Sequence, residues 1–283
     1  MTRIQCGQQV LDLSHPRVMG VLNITPDSFS DGGVLFRDGK PNLDAVCQLS
    51  QAMVTKGAAV LDIGGESTRP GALPVSEQEE IDRVVPVVEA IMARFETIIS
   101  LDTSTPAVMQ AGTAAGAGLI NDVRALRRPG AVEVAAQTGL PIVLMHMQGE
   151  PDTMQANPHY GSVVDEVCGF LESRAATCAA AGISRERLLY DPGFGFGKTP
   201  EHNYALLKGL PRVCRLGPPV LAGLSRKSMI TSVLDRAVDQ RLPASLSLAV
   251  LAAVGGARLL RVHDVAETFD ALAMVGAWRE ASQ

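Results

Sequence analysis

The residues of this chain that could do chemistry stand at the ends of short apolar runs. Asp102, Asn121 and Asp191 each close one such run. Three acceptor-rich groups, one of them also a donor, suit a flat heterocycle with several N–H groups; Asp and Asn together can meet an aminopyrimidinone edge. They could instead only cap the helices that follow. Arg261 and His263 lie two apart, so in extended backbone they share a side. With Thr68 and Asn23 they could grip a phosphate or diphosphate through charge-assisted hydrogen bonds. The alternatives are a salt bridge from Arg261 to Asp264 or Glu267 and, for His263, a place beside a helix start with no ligand role. Lys227, within Ser225-Arg226-Lys227-Ser228, stands near a strand end and a helix start. A cation is uncomfortable there unless a polar or acidic ligand faces it.

Two glycine-rich stretches frame these positions. Val18 to Leu22 reads as a buried strand that stops at Asn23, and a long polar loop through Pro26, Phe29 and Gly32-Gly33 follows. A long loop directly after a buried strand is more often functional than connective. Gly193-Phe194-Gly195-Phe196-Gly197-Lys198-Thr199 resembles a phosphate loop but fails on spacing: the first Walker glycine falls on Pro192, and the third glycine of a dinucleotide fingerprint falls on Lys198. The expectation is a flexible loop that brings backbone and Phe194 close to a ligand.

The elements that position these residues repeat. Apolar runs reach Asn23, Asp62, Asp102, Asn121-Asp122, His146, Asp191, Ser225 and Arg261-Val262-His263-Asp264, eight in all. Helix-period segments lie between them. Asn42 can cap a helix with Leu43, Val46, Leu49 and Met53 on its apolar face, and Ser76 with Glu79 has capping-box spacing. Pro86 falls inside that second helix and should kink it. Gly161 to Ala181, Thr199 to Lys208, Ala244 to Ala253 and Val265 to Trp278 are further helices by pattern. Strand, loop and helix alternating in this way predict an α/β fold, a single closed (β/α)8 TIM barrel of parallel strands. A doubly wound open sheet is the rival, but it would have fewer repeats and a nucleotide-type glycine loop after its first strand.

Composition agrees with one barrel domain over residues 1–283, with residues 1–16 as an N-terminal arm or hairpin closing its bottom. The apolar share is 46 % and the charged share 19 %, as in ordinary globular chains. The net charge of −5 argues against nucleic acid and anionic membrane as partners. No apolar run is long enough to span a bilayer. Five cysteines without a CxxC pair read as reduced thiols of a cytoplasmic protein. No Cys/His cluster suggests zinc.

Eight segments in order resemble the dihydropteroate synthase family of pterin-binding barrels: MGVLNITPDSFSDGG, LDIGGESTRPGA, SLDTSTPAV, INDVRAL, MHMQGEPDTMQ, DPGFGFGKT, GLSRKSMI and RVHDV. They span nearly the whole chain. The resemblance implies condensation of p-aminobenzoate with 6-hydroxymethyl-7,8-dihydropterin diphosphate, releasing pyrophosphate. It implies that Asp102, Asn121, Asp191 and Lys227 hold the pterin and that Thr68, Arg261 and His263 bind the diphosphate. It assigns Mg²⁺ to Asn23, and the p-aminobenzoate pocket to Phe29, Thr68, Pro70, Phe194 and Ser228. Asp31 would sit near the reacting carbon; with Asn23, Lys227, Arg261 and His263 it makes up the catalytic set. A homodimer through outer helices is also implied. Arg124 stands where Ser or Thr is common, and Thr113 to Gly118 is unusually small; both bear on local packing.

Three other readings remain at this point. A pterin-binding methyltransferase barrel has no use for Arg261-Val262-His263 or the Asn23 loop. A non-catalytic homologue leaves the catalytic set unexplained. A sugar-phosphate barrel leaves Phe29 and the Asp102, Asn121 and Asp191 cradle without a role.

Overall fold

The computed structural model describes residues 2–26, 34–37, 39–67, 72–150 and 153–281. It opens with an antiparallel hairpin, β1 (Arg3–Cys6) and β2 (Gln9–Asp12). β3 (Arg17–Asn23) follows, then a small hairpin of β4 (Phe36–Arg37) and β5 (Lys40–Pro41), and then α1 (Leu43–Thr55). Strands and helices then alternate: β6 (Ala58–Gly64), α2 (Glu77–Met92), β7 (Ile98–Asp102), α3 (Pro106–Ala114), β8 (Leu119–Asp122) and α4 (Ala131–Thr138). β9 (Ile142–Met145), α5 (Val163–Ala180), β10 (Leu188–Asp191), α6 (Pro200–Lys208) and α7 (Leu210–Cys214) come next. The chain ends through β11 (Leu221–Ala222), α8 (Leu242–Val254), β12 (Leu259–Val262) and α9 (Val265–Glu280).

The eight strands β10-β9-β8-β7-β6-β3-β12-β11 form one parallel sheet. Tyr190 of β10 bridges Val220, just before β11, and its N–H donates to Pro219 O at 2.9 Å. That contact closes the sheet into a (β/α)8 barrel. Asn42 accepts from Ala45 N–H and Ser76 from Glu79 N–H, so both proposed caps form. Glu79 itself turns to Arg83, which leaves the capping box one-sided. α2 runs as one helix through Pro86. The short helices α3 and α4 carry no strong stripe in sequence: α3 is mostly small residues, and α4 is a short segment between Gly130 and Gly139, both at positive φ.

Inside the barrel, a period of two assigns each strand residue to one face. Met19, Val60, Ile98, Leu119, Val143, Leu189, Leu221 and Leu259, one from each strand, form the bottom layer. Ile4, Cys6, Leu11 and Leu13 of the hairpin cover it from below. The hairpin packs so closely that a Cβ on Gly118 would lie 2.9 Å from Cys6 O. A Cβ on Gly112 would strike Leu101 at 2.7 Å. Close backbone approach therefore accounts for the small residues of this region. The outer layer of the core joins the opposite faces of the strands to the helices around them.

Candidate active site

The layer above the apolar plug is polar. Two residues beyond Val60, Ile98, Leu119, Leu189 and Leu259 stand Asp62, Ser100, Asn121, Asp191 and Arg261. One step further come Asn23, Gly64, Asp102, Ser225 and His263. The register fixes this stacking: Asn23 pairs with Gly64, Gly64 with Asp102, and Asp102 with Asn121. All lie at the carboxyl end of the strands, where the βα loops open a mouth. The structure thus brings Asn23, Asp102, Asn121, Asp191, Arg261 and His263 to one end of one barrel.

Arg261 is the hub. Its Nε donates to Asp62 Oδ2 and its Nη2 to Asp102 Oδ2, both at 2.6 Å. Neither Asp264 nor Glu267 takes it; Asp264 receives Arg226 instead, at 2.5 and 3.1 Å. Asp62, fully buried, also accepts from Asn121 Nδ2 at 3.2 Å. The sequence reading placed Asp62 at a strand end but gave it no part in the site. Its signal was present: it is one period below Gly64 on a strand that otherwise reads apolar. Burial and the two carboxylates act oppositely on Arg261; burial opposes its charge, and Asp62 and Asp102 hold its pKa above the ordinary value. Burial raises Asp102 to about 7 even against the pull of Arg261. Burial likewise raises Asp191 to about 6, opposed by the Gly193 N–H, which donates to Asp191 Oδ1 at 2.7 Å.

Asp122, next to Asn121, faces the other way. Its carboxylate accepts from Ser104 Oγ and from the Arg124 and Leu126 N–H groups. It thereby braces a turn in which Ala125 and Leu126 take φ of 52° and 57°. A left-handed backbone at two non-glycine residues needs such bracing. Asn121 therefore serves the mouth and Asp122 serves the fold.

Beside Asn121 and Asp191, at the end of the strand between them, the lining turns apolar. Val123, Met145, Met147 and Met154 cluster with Phe196. An apolar patch set among a few polar groups is the lining a flat, edge-polar ring needs. The polar strand ends alone give no sign of this patch in the sequence. Phe194 is 1 % exposed and packs in the outer core, so it cannot line the mouth as expected. Phe196 is partly exposed, and Lys227 Nζ lies 4.3 Å from its ring centroid. The loop is also pinned rather than loose. Asn203 Oδ1 accepts from Gly195 N–H, Gln155 Nε2 donates to Gly195 O, and Tyr160 OH donates to Gly197 O.

Ser225 Oγ and His263 Nδ1 are 3.0 Å apart, and the His263 N–H reaches the same oxygen. Burial, with Arg261 and Arg226 nearby, lowers the His263 pKa to about 3. His263 is therefore a neutral hydrogen-bonding group here, and Arg261 carries the charge. Ser228 is exposed beside Lys227, at the start of a short 3₁₀ turn.

Arg124 does more than pack locally. It donates to both oxygens of Glu66 at 2.9 and 3.2 Å, and Arg128 adds a third bond at 3.1 Å. The loop after β6 is thus tied to the loop after β8. Phe29, Asp31, Thr68 and Pro70 lie outside the described residues.

The donor set suits Mg²⁺. Among the described residues no three His, Cys, Asp or Glu side chains converge as a metal cage. Mg²⁺ at phosphate sites commonly takes one or two protein oxygens and completes its shell with phosphate and water. Asn23, half-buried at the rim, offers one such oxygen.

A family model described as "Pterin binding enzyme" matches residues 19–263. A dihydropteroate synthase of Haemophilus influenzae is 53 % identical over 270 residues, covering 95 % of this chain and 96 % of the relative. A dihydropteroate synthase structure from Yersinia pestis, solved as a sulfonamide drug complex, superposes with a TM-score of 0.95 at 51 % identity, covering 99 % of this chain and 100 % of that one. One from Xanthomonas albilineans, in complex with 7,8-dihydropteroate, superposes with a TM-score of 0.88 at 47 % identity over 99 % and 100 % of the two chains.

Proposed function

This chain belongs to the dihydropteroate synthase family of pterin-binding enzymes, and from that premise we propose how its residues divide the work. The reaction is a transfer: 6-hydroxymethyl-7,8-dihydropterin diphosphate and p-aminobenzoate give 7,8-dihydropteroate and pyrophosphate. The bond from the exocyclic CH₂ to the diphosphate oxygen breaks, and the aniline nitrogen takes its place and loses a proton. The CH₂ is conjugated to an electron-rich ring, so departure runs ahead of attack and leaves a cation-like carbon.

Asp102, Asn121, Asp191 and Lys227 hold the pterin, with its faces against the Met145 and Met147 patch. The supporting observation is the buried stack of carboxylates around one arginine, with that apolar patch at the same mouth. Carboxylates preorganised beside a ring that grows positive stabilise the transition state without rearrangement. Thr68, Arg261 and His263 bind the diphosphate: Arg261 by charge, His263 as a neutral donor. Asn23 would hold Mg²⁺, which when bound supplies countercharge to the leaving diphosphate. The arylamine is neutral near pH 7, so no strong base is required. Phe29, Thr68, Pro70 and Ser228 form the p-aminobenzoate site, with the partly exposed Phe196 rather than the buried Phe194 completing it. The family resemblance assigns Asp31 a role near the reacting carbon.

Arg261 now occupies Asp102. For the pterin to reach Asp102 fully, the diphosphate must compete for the guanidinium. Two copies pair through α8 and α9, whose Leu251, Val254, Met274 and Trp278 remain exposed. Such apolar residues on adjacent helices suit a self-interface. Five unpaired thiols suit a reducing compartment, and we place the enzyme in the cytoplasm. No helix among the described residues is long and apolar enough to cross a membrane. The decisive test is pyrophosphate release on mixing pterin diphosphate, p-aminobenzoate, Mg²⁺ and protein. Absence of release from folded protein overturns the assignment of these roles.

A further inference from the structure

One lysine ammonium is buried where the reaction has no use for it. Lys198 is 3 % exposed, and its Nζ donates to Gly193 O at 2.8 Å, Phe196 O at 3.0 Å and His146 Nδ1 at 2.9 Å. Burial pulls the Lys198 pKa down to about 7, with Asp191 opposing it; in the ammonium form its three N–H donors meet three acceptors, all supplied by protein. His146 belongs to the helix side of its strand: its ring packs on Phe170 at 5.0 Å and Tyr160 at 6.0 Å.

Two of the three acceptors are carbonyls of the glycine loop itself. The loop is folded around the ammonium, with Gly193, Gly195 and Gly197 at φ of 70°, 82° and 60°. It lies so close to the neighbouring strand that a Cβ on Gly193 would stand 1.9 Å from His146 O. The ammonium therefore fixes the two residues through which the loop meets the mouth. Gly193 donates to Asp191 Oδ1, and the Phe196 ring lies against Lys227 Nζ.

We infer that Lys198 is a positioning residue for the transfer reaction: its ammonium, caged by Gly193, Phe196 and His146, sets the Phe196 ring and the Asp191 carboxylate without touching either substrate. This rests on the reading of Phe196 and Asp191 as substrate contacts. A merely structural lysine would hold the fold together and leave substrate recognition unchanged.

The experiment compares Lys198→Met, which keeps the stem but donates nothing, with His146→Leu, which removes one acceptor, and His146→Asn, which keeps one near Nδ1. Thermal melting, kcat and the KM of each substrate are read for each full-length variant. The expected result for Lys198→Met is a rise of about tenfold in both KM values, as for loss of a charged hydrogen bond. His146→Leu should shift both in the same direction by less, and His146→Asn should restore them. Adding Phe196→Leu to Lys198→Met should raise the p-aminobenzoate KM no further than either change alone. A folded Lys198→Met with unchanged KM values, or fully additive effects with Phe196→Leu, overturns the inference. If Lys198→Met does not fold, the histidine pair decides, and wild-type KM values for His146→Leu overturn it. An unchanged p-aminobenzoate KM in Phe196→Leu alone overturns the reading of that ring as a substrate contact, and with it the part of the inference that runs through Phe196.

Discussion

Asp191 and Arg261 show how burial sets the charge of the site. Burial raises Asp191 to about 6, so its carboxylate prevails above that pH and is lost as pH falls through it. Dihydropterin affinity measured by calorimetry should therefore drop below about pH 6, approaching tenfold per unit. Asp191→Asn should flatten that profile and weaken binding at neutral pH by about 1.5–3 kcal/mol. A wild-type affinity that stays level down to pH 5 would remove Asp191 from the cradle. Arg261→Ala should weaken the diphosphate substrate while sparing the pterin without its diphosphate, because Asp102 is then released to the ring. Equal losses for both ligands would assign Arg261 to the pterin side or to the scaffold. The same change leaves Asp62 buried with Asn121 but without its cation, so stability should fall by about 3–5 kcal/mol in denaturant titration.

The loop after β10 is the element on which several of these residues depend. Gly193 combines φ of 70° with a carbonyl 1.9 Å from where a Cβ would lie. Gly193→Ala is therefore strained twice over, by backbone conformation and by contact. It should cost several kcal/mol and raise the KM for pterin diphosphate. Wild-type melting and kinetics in this variant would mean that the loop can move away from β9. Elsewhere the elements obey local rules. Ser76→Ala should cost about 1 kcal/mol through loss of the cap on α2, with kinetics unchanged.

At the scale of the whole barrel, stability and chemistry occupy different layers. Leu11 is 2 % exposed beneath the bottom layer, on the far side of the plug from Asp62. Leu11→Ala should destabilise by about 2–5 kcal/mol and leave both KM values near wild type. A large KM change would show that the hairpin reaches the mouth through the plug. Sulfonamides share the aniline ring of p-aminobenzoate and place an acidic group where its carboxylate lies. They should compete with it, and noncompetitive kinetics would contradict a shared pocket. Trp278→Glu should convert the proposed dimer to monomer in sedimentation, because one charge per copy would be buried at the interface. A dimer that survives unchanged moves the interface off α9.

The fold, and the gathering of the candidate site residues at one end of it, were legible in the chain because they rest on local periodicities. Eight apolar runs, each ending in polar residues, demand a sheet buried on both faces, and the period of two then carries Asp102, Asn121, Asp191, Arg261 and His263 to the same end. The caps at Asn42 and Ser76 are equally local. What the sequence could not decide is which neighbour each polar group takes, because those neighbours come from distant strands. Arg261 chooses Asp62 and Asp102, 199 and 159 residues away, over the nearby Asp264. Arg124, expected to bear on local packing, ties down Glu66 across 58 residues. Phe194 and Phe196 look alike in sequence, two residues apart in one loop. The three left-handed glycines twist that loop out of any strand or helix period, so only its tertiary path buries Phe194 and sets Phe196 beside Lys227.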